Sequence, residues 1–398
     1  MLPLAVLLLL LVAAPIAAAL SVERAVGRLG AYQRSLGPRS SATLVDLSAR
    51  TILFQRRPLL ALAPASNQKL FTTAAALQRF GPDGTLVTTI VPAPLATLDG
   101  SGVLRGDLYL VGGGDPSLGD RGLRDLARQV KAAGIRRISG GIRGDDSLFD
   151  RRQGGPRTGY SLDPDIGGAL SALAWQHGTT GEGGPALVTT RRFARILKSE
   201  GVSYSSAPAL GQVPASGAPP APVAVHASPP MSSLITTTNV YSDNFYAEML
   251  LKALGARFGA GGTTAAGAAE ARQALAPLAI APVIADGSGL SLRDRASSRT
   301  VATLLAGLAA SDYNAPFRAS LALAGRSGTI ASRMRGTAAQ GRCIGKTGTL
   351  NSVSALSGYC TTTSGRRLVF SLIENGVCPG CAKATEDRMV ATIARIDR

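Results

Sequence analysis

Three short polar motifs stand far apart in this chain, and a fold that brings them together is constrained more tightly than composition could constrain it. The first is Ser66-Asn67-Gln68-Lys69. Behind it Leu70, Ala74, Leu77 and Phe80 recur at the spacing of one buried helical face, and Gly81-Pro82 marks a helix stop. Residues three apart share a helix face, so Lys69 is within reach of Ser66 at the helix start. The second motif, Ser242-Asp243-Asn244, falls at a break between two helical periodicities. The third, Lys346-Thr347-Gly348-Thr349, lies on the first of two strand-like runs joined by a turn at Asn351-Ser352. Singly, each has an ordinary explanation: a chance spacing, a helix cap, a strand followed by a turn. Their order and local settings together point to one site.

The residue types suit acyl transfer. A serine hydroxyl is a poor nucleophile until a base stands beside it. Ser66 is the candidate nucleophile and Lys69 its base, with the charge of Lys346 expected to disfavour a second ammonium and lower the Lys69 pKa. Ser242 can pass a proton between the lysines and a leaving amine. Asn244 can hold a substrate's backbone. The strand carrying Lys346 can pair with an extended peptide, while Thr347, Thr349 and Lys346 suit a terminal carboxylate. Gly348 leaves room for the substrate. The N–H groups of Ser66 and Thr349 are the expected oxyanion hole, worth about 3–4 kcal/mol per donor. No cofactor or metal is called for. The only histidines, His177 and His226, fall in irregular stretches and read as solvated.

The order of elements predicts an α/β (α+β) architecture. A helix at 22–36, strands at 42–47 and 51–55, and the Ser66 helix come first. An α/β stretch follows, with strands near 85–91, 107–111 and 138–142 and helices near 121–133 and 189–200. Residues 205–230, rich in proline, alanine and serine, read as an irregular connector with at most a short strand. Helical periodicity returns at 231–240, 245–254, 265–276 and 296–308, then strands at 343–349, 353–361 and 367–374, and a last helix at 382–396. One domain from 21–81 plus 229–398, interrupted by an insert at 82–228, accounts for this order.

At 398 residues and 45% hydrophobic content the chain can fill a large core. Its net charge of +17 is scattered and carried mainly by arginine, which fits an anionic setting such as a cell envelope. Nucleic-acid binding is disfavoured, because aromatics are only 5% and no basic-aromatic motif occurs. Residues 1–20 read as a signal peptide, with an apolar run at Leu2–Val12 and Ala17-Ala18-Ala19 before a cut at Leu20 or Ser21. Export to the periplasm or cell envelope follows, soluble or peripheral to the membrane. In that setting disulfides persist. Cys343 and Cys360 are each eight residues from the Asn351-Ser352 turn and so face each other, and Cys378 and Cys381 can close a small loop. This is the most economical of three pairings.

The three motifs are the signature of β-lactamases and penicillin-binding proteins. Longer blocks narrow the likeness: PASNQKLFTTAAALQRFGPD, GDLYLVGGGDPSL, TNVYSDNFYAEMLLK, DGSGLS and GKTGTLNSVSALSGY. On these the chain resembles the class C low-molecular-mass penicillin-binding proteins, the D-Ala-D-Ala carboxypeptidase/endopeptidase family. The resemblance implies a transpeptidase-like domain with its insert between the first and second motifs. The interval from Ser66 to Ser242 is short for the family's usual two inserts, so the smaller is expected to be reduced or missing. It also implies peptidoglycan stem peptides as substrates and β-lactams as covalent inhibitors. An acid and an arginine help bind the diaminopimelate side chain in that family. Asp145 is the matching acid; Leu292 stands where the arginine is expected, and Arg293 follows one later. A β-lactamase is the nearest rival, a wall-binding protein with a dead site the next. Oligomeric state is not legible.

Overall fold

The computed structural model describes residues 19–215 and 220–397. Residues 1–18, most of the expected signal segment, lie outside them. Thirteen strands are described: β1 (Ser40–Asp46), β2 (Thr51–Arg56), β3 (Val87–Pro92), β4 (Thr97–Leu98), β5 (Val103–Arg105), β6 (Leu108–Val111), β7 (Arg137–Asp145), β8 (Ser203–Leu210), β9 (Ala224–Ala227), β10 (Ala322–Leu323), β11 (Cys343–Leu350), β12 (Val353–Thr361) and β13 (Arg367–Asn375). The α-helices are α1 (Val22–Ser35), α2 (Gln68–Phe80), α3 (Asp120–Ala132), α4 (Gly184–Ser199), α5 (Met231–Val240), α6 (Asn244–Phe258), α7 (Thr264–Leu275), α8 (Ser298–Ala309), α9 (Asn314–Ala319) and α10 (Pro379–Ile393).

The first sheet runs β10-β11-β12-β13-β1-β2 and is antiparallel throughout. It joins strands from both ends of the chain because β13 is apolar on both faces. Leu368, Phe370 and Leu372 pack with Leu29 of α1 and Met389 and Ile393 of α10. Val369 and Ile373 turn the other way, into a core with Val301 and Leu305 of α8 and the buried stripe of α2. Alternation with period two places these sets on opposite faces, giving helix, sheet and helix layers. In α2, Leu70, Ala74 and Leu77 are fully buried.

The second sheet, β4-β5-β7-β6-β3-β9 with β8 paired to β7, is built wholly from residues 87–227. It has its own core, in which Ile90, Leu108, Leu110, Ile138 and Ile142 meet Leu123, Leu126 and Val130 of α3 and Phe193 and Leu197 of α4.

Three expectations need correction. The connector at 205–230 holds two strands, and β8 pairs in parallel with β7. Its Ser205-Ser206-Ala207-Pro208 run lacks the β-branched residues that announce a strand, and a proline donates no ladder bond. Helix α4 begins at Gly184, earlier than expected, with Pro185 in its first turn. Helix α10 begins at Pro379, inside the Cys-Pro-Gly-Cys segment, and ends at Ile393. Both cysteine pairings are present. Cys343 and Cys360 are direct register partners on β11 and β12, with α-carbons 4.0 Å apart, and Cys378 bonds Cys381.

Candidate active site

The nucleophile candidate does not sit on the α-helix itself. Ser66 lies on a 3-10 turn, Ala65–Asn67, that leads into α2. Ala65 holds the left-handed φ of 46°, a conformation that costs a non-glycine residue energy and persists only where the surroundings enforce it. The spacing nevertheless works: Lys69 Nζ donates to Ser66 Oγ at 2.9 Å.

Lys69 is fully buried, and its ammonium has three acceptors: Ser66 Oγ, Asn244 Oδ1 at 2.6 Å and the Ser288 carbonyl at 2.8 Å. Burial lowers its pKa to about 8, against the carboxylates of Asp286, Glu248, Asp243 and Asp294, which favour the charged form. The expected cause, the charge of Lys346, is therefore corrected. Lys346 is fully buried too, and burial followed by the charge of Lys69 holds it well below an ordinary lysine.

The Ser288 carbonyl is a partner the motif reading missed. It belongs to Asp286-Gly287-Ser288-Gly289, a loop pinned from three sides. Glu248 Oε1 accepts from the N–H groups of Gly287 and Ser288 at 3.0 and 2.8 Å. Asp286 accepts from Gly289 and Ser291, and Thr72 of α2 donates to the Gly287 carbonyl. Gly289, at φ 84°, passes so near Ala65 that a Cβ would lie 1.9 Å from the Ala65 oxygen. The one available sequence signal was Glu248 itself, an acid inside the apolar run Ala247–Leu251. Burial first, and the charge of Asp286 second, push Glu248 up to about 7 and Asp294 well above an ordinary carboxyl.

The other two motifs converge here. Ser242 takes the left-handed φ of 61°, and Asp243 caps α6 by accepting from the Tyr246 N–H at 2.8 Å. That turn aims Ser242 Oγ at Lys346 Nζ, 2.8 Å away, and Asn244 Oδ1 at Lys69. The Asn244 amide N–H, expected to be free for substrate, donates to the Asp165 carbonyl at 2.6 Å.

The short Cα spacing of Cys343 and Cys360 marks a pair without direct ladder bonds, and the Cys343 carbonyl accepts from Ala324 on the other side. Alternation then turns the peptide groups of Thr347 and Thr349 away from β12. Strand β10 covers only Ile344 and Gly345, so among the described residues no strand pairs with this edge from Lys346 to Leu350. A cavity of about 250 Å³ lies alongside, lined by Ser66, Ser242, Thr329, Arg333, Thr347, Thr349 and Lys383. Thr347 Oγ1 bonds Thr329 Oγ1 at 2.9 Å. Thr329, Arg333 and Lys383 carry no motif in the sequence and went unnoticed there.

A model of the D-Ala-D-Ala carboxypeptidase 3 (S13) family matches residues 30–161 and 179–396. The chain belongs to that family. A D-alanyl-D-alanine carboxypeptidase from Actinomadura is 30% identical over 90% of this chain and 81% of its own length. A carboxypeptidase of Mycobacterium tuberculosis is 28% identical over 94% of this chain and 82% of the relative. The crystal structure of penicillin binding protein 4 from Haemophilus influenzae shares the fold at 19% identity, with a TM-score of 0.78 over 92% of this chain and 98% of that one.

Two residues matched to this D-Ala-D-Ala carboxypeptidase family by resemblance are not among those brought together around Ser66. Asp145 is buried at the end of β7, where its two oxygens accept from the N–H groups of Ser147 and Val213 at 2.9 and 2.8 Å. It lines a separate cavity of about 500 Å³ with Asp146, Ser147 and Ser171 among its neighbours. Arg293 is exposed on the loop after Ser291.

Proposed function

We propose that this member of the carboxypeptidase family removes the terminal D-Ala from peptidoglycan pentapeptides through a Ser66 ester. The observation that carries the reading is the buried Lys69 amine, 2.9 Å from Ser66 Oγ with its pKa near 8. Neutral Lys69 takes the hydroxyl proton as Ser66 Oγ bonds to the carbonyl carbon of the scissile amide. The oxyanion is received by the N–H groups of Ser66 and Thr349. As the C–N bond breaks, the proton reaches the departing D-Ala amine through Ser242 and Lys346. Water then cleaves the ester, returning the hydroxyl to Ser66 and the carboxylate to the shortened peptide.

The open edge of β11 suits an extended peptide laid antiparallel to it. Thr347, Thr349 and Lys346 meet its terminal carboxylate, whose charge favours the Lys346 ammonium against the effect of burial. Gly348 contributes by proximity alone. Asp145 and Arg293 are assigned no substrate contact in this reading. Residues 82–228 act as an inserted folding unit, and 21–81 with 229–398 as the catalytic one. The chain works on the envelope side of the membrane, where its substrate lies.

Penicillin acylates the same oxygen. Intact-mass measurement after penicillin exposure is expected to show a stable adduct on the wild type and none on Ser66→Ala. Equal labelling of both removes Ser66 as nucleophile, and rapid turnover without an adduct favours a β-lactamase.

A further inference from the structure

The segment 163–178, which belongs to neither sheet, touches the second motif at two points. At one, the Asp165 carbonyl accepts from Asn244 Nδ2 at 2.6 Å. The turn carrying it is fixed by Arg157, whose guanidinium binds both Asp163 and Asp165. At the other, His177 Nε2 lies 2.9 Å from Asp243 Oδ2. The histidine is exposed, as the sequence reading has it, but it is tied to this partner. Its ring stands against Phe245 and Tyr246, with centroids 5.3 and 5.4 Å apart.

The backbone around His177 is held against its preference. Gln176 and His177 are both left-handed, at φ 45° and 55°, which costs energy at each. The strand of chain beside them is packed to the limit: a Cβ on Gly168 would lie 1.6 Å from the His177 carbonyl oxygen. Ala169 N–H also bonds the Gly178 carbonyl at 3.1 Å, closing the segment on itself. On the facing side, Ser242 is left-handed as well. Two strained turns therefore meet through one hydrogen bond, and the Asp243 carboxylate is shared between His177 and the cap of α6.

We propose that His177 is a positioning residue for acyl transfer: by fixing the Asp243 carboxylate it holds the turn that aims Ser242 at Lys346 and Asn244 at Lys69. The carboxylate in turn raises the imidazole's pKa against its partial burial. Either the imidazolium or the neutral Nε2–H tautomer supplies the donor. The inference rests on the reading of Ser66 as the acylated nucleophile.

The test measures kcat and KM on an acyl-D-Ala-D-Ala peptide, per site titrated with penicillin, alongside the melting temperature. His177→Phe keeps the ring packing and loses the donor; it is expected to lower kcat about tenfold or more, as small misplacements of reacting groups do. KM is expected to stay within about twofold of the wild type, because the loss falls on the transition state. His177→Gln, which restores a donor, is expected to recover most of the loss. Wild-type kcat in His177→Phe, or equal losses in both variants, overturns the proposal, as does a loss that simply follows the fall in melting temperature. Should the phenylalanine variant not fold, His177→Asn, too short to span the contact, takes its place with the same expectation and the same reversal. Acylation of Ser66→Ala would remove the underlying reading, whereas wild-type acylation at Ser66 with an unaffected His177 variant removes this inference alone.

Discussion

Gly348 passes the Pro64 carbonyl so closely that a Cβ on it would lie 2.6 Å from that oxygen and 3.1 Å from the Ser66 nitrogen. The glycine of the third motif is what lets β11 lie against the turn bearing Ser66.

Gly348→Ala is therefore expected to push strand and turn apart by a fraction of an ångström. Overpacking of this kind costs about 1–3 kcal/mol, and misplacement of the oxyanion donors on the order of a hundredfold in rate. Penicillin acylation kinetics and thermal melting read the two effects separately. An alanine variant that acylates at the wild-type rate would show that the strand has room to spare.

Acylation is expected to rise with pH and level off above about 8, the pKa to which burial brings Lys69. The sign follows from the base having to be neutral: below its pKa most molecules carry an ammonium that cannot accept the Ser66 proton. A rate of acylation flat from pH 6 to 9, on this order of spacing around the pKa, would exclude Lys69 as the base.

Glu248→Gln keeps an oxygen to accept from Gly287 and Ser288 but removes a charge that favours the Lys69 ammonium. The acid limb of the same profile is expected to move to lower pH. A shift to higher pH contradicts the assignment. Glu248→Ala, which frees the loop carrying the Ser288 carbonyl, is expected to lower kcat as well.

The two disulfides are expected to differ in weight. Cys343–Cys360 closes a loop with a sequence separation of 17, and Cys378–Cys381 one of 3. Chain-entropy arguments give about 3 kcal/mol for the longer loop and less for the shorter. Thermal melting of the paired Cys→Ser variants checks the order, which an equal loss in both, or a larger one from the shorter loop, would contradict.

If the leader is removed as the Ala17-Ala18-Ala19 segment suggests, the cut is expected after Ala19. Leu20 is buried and joined to the C-terminal segment: its N–H donates to the Arg395 carbonyl and its carbonyl accepts from Asp397, both at 2.8 Å. A cut before Ser21 would discard both bonds. N-terminal sequencing of the secreted form decides between them.

Much of the fold was legible because its signals are local. The α2 stripe repeats at helical spacing, and the hairpin of β11 and β12 places Cys343 opposite Cys360 by counting from its turn. Strand β8 escaped notice because its residues are ordinary and its partner, β7, lies far away in the chain. In the site, Ser66, Lys69, Ser242, Asn244 and Lys346 were visible as motifs. Ser288, Glu248 and His177 were not, since a backbone carbonyl, a helical acid and a loop histidine acquire meaning only from what packs against them. Asp145 was chosen by likeness alone, and its carboxylate is taken up by backbone donors.

By itself the sequence determined which side chains are available for acyl transfer, and on which kinds of element they stand, because periodicity and short spacings act within a few residues. Only the tertiary structure decided that burial brings the Lys69 pKa to about 8 and holds Lys346 well below an ordinary lysine. It also decided that the 163–178 segment grips the Ser242 turn. A pKa depends on how much water and charge surround a group, and those surroundings come from segments that meet only when the chain is folded.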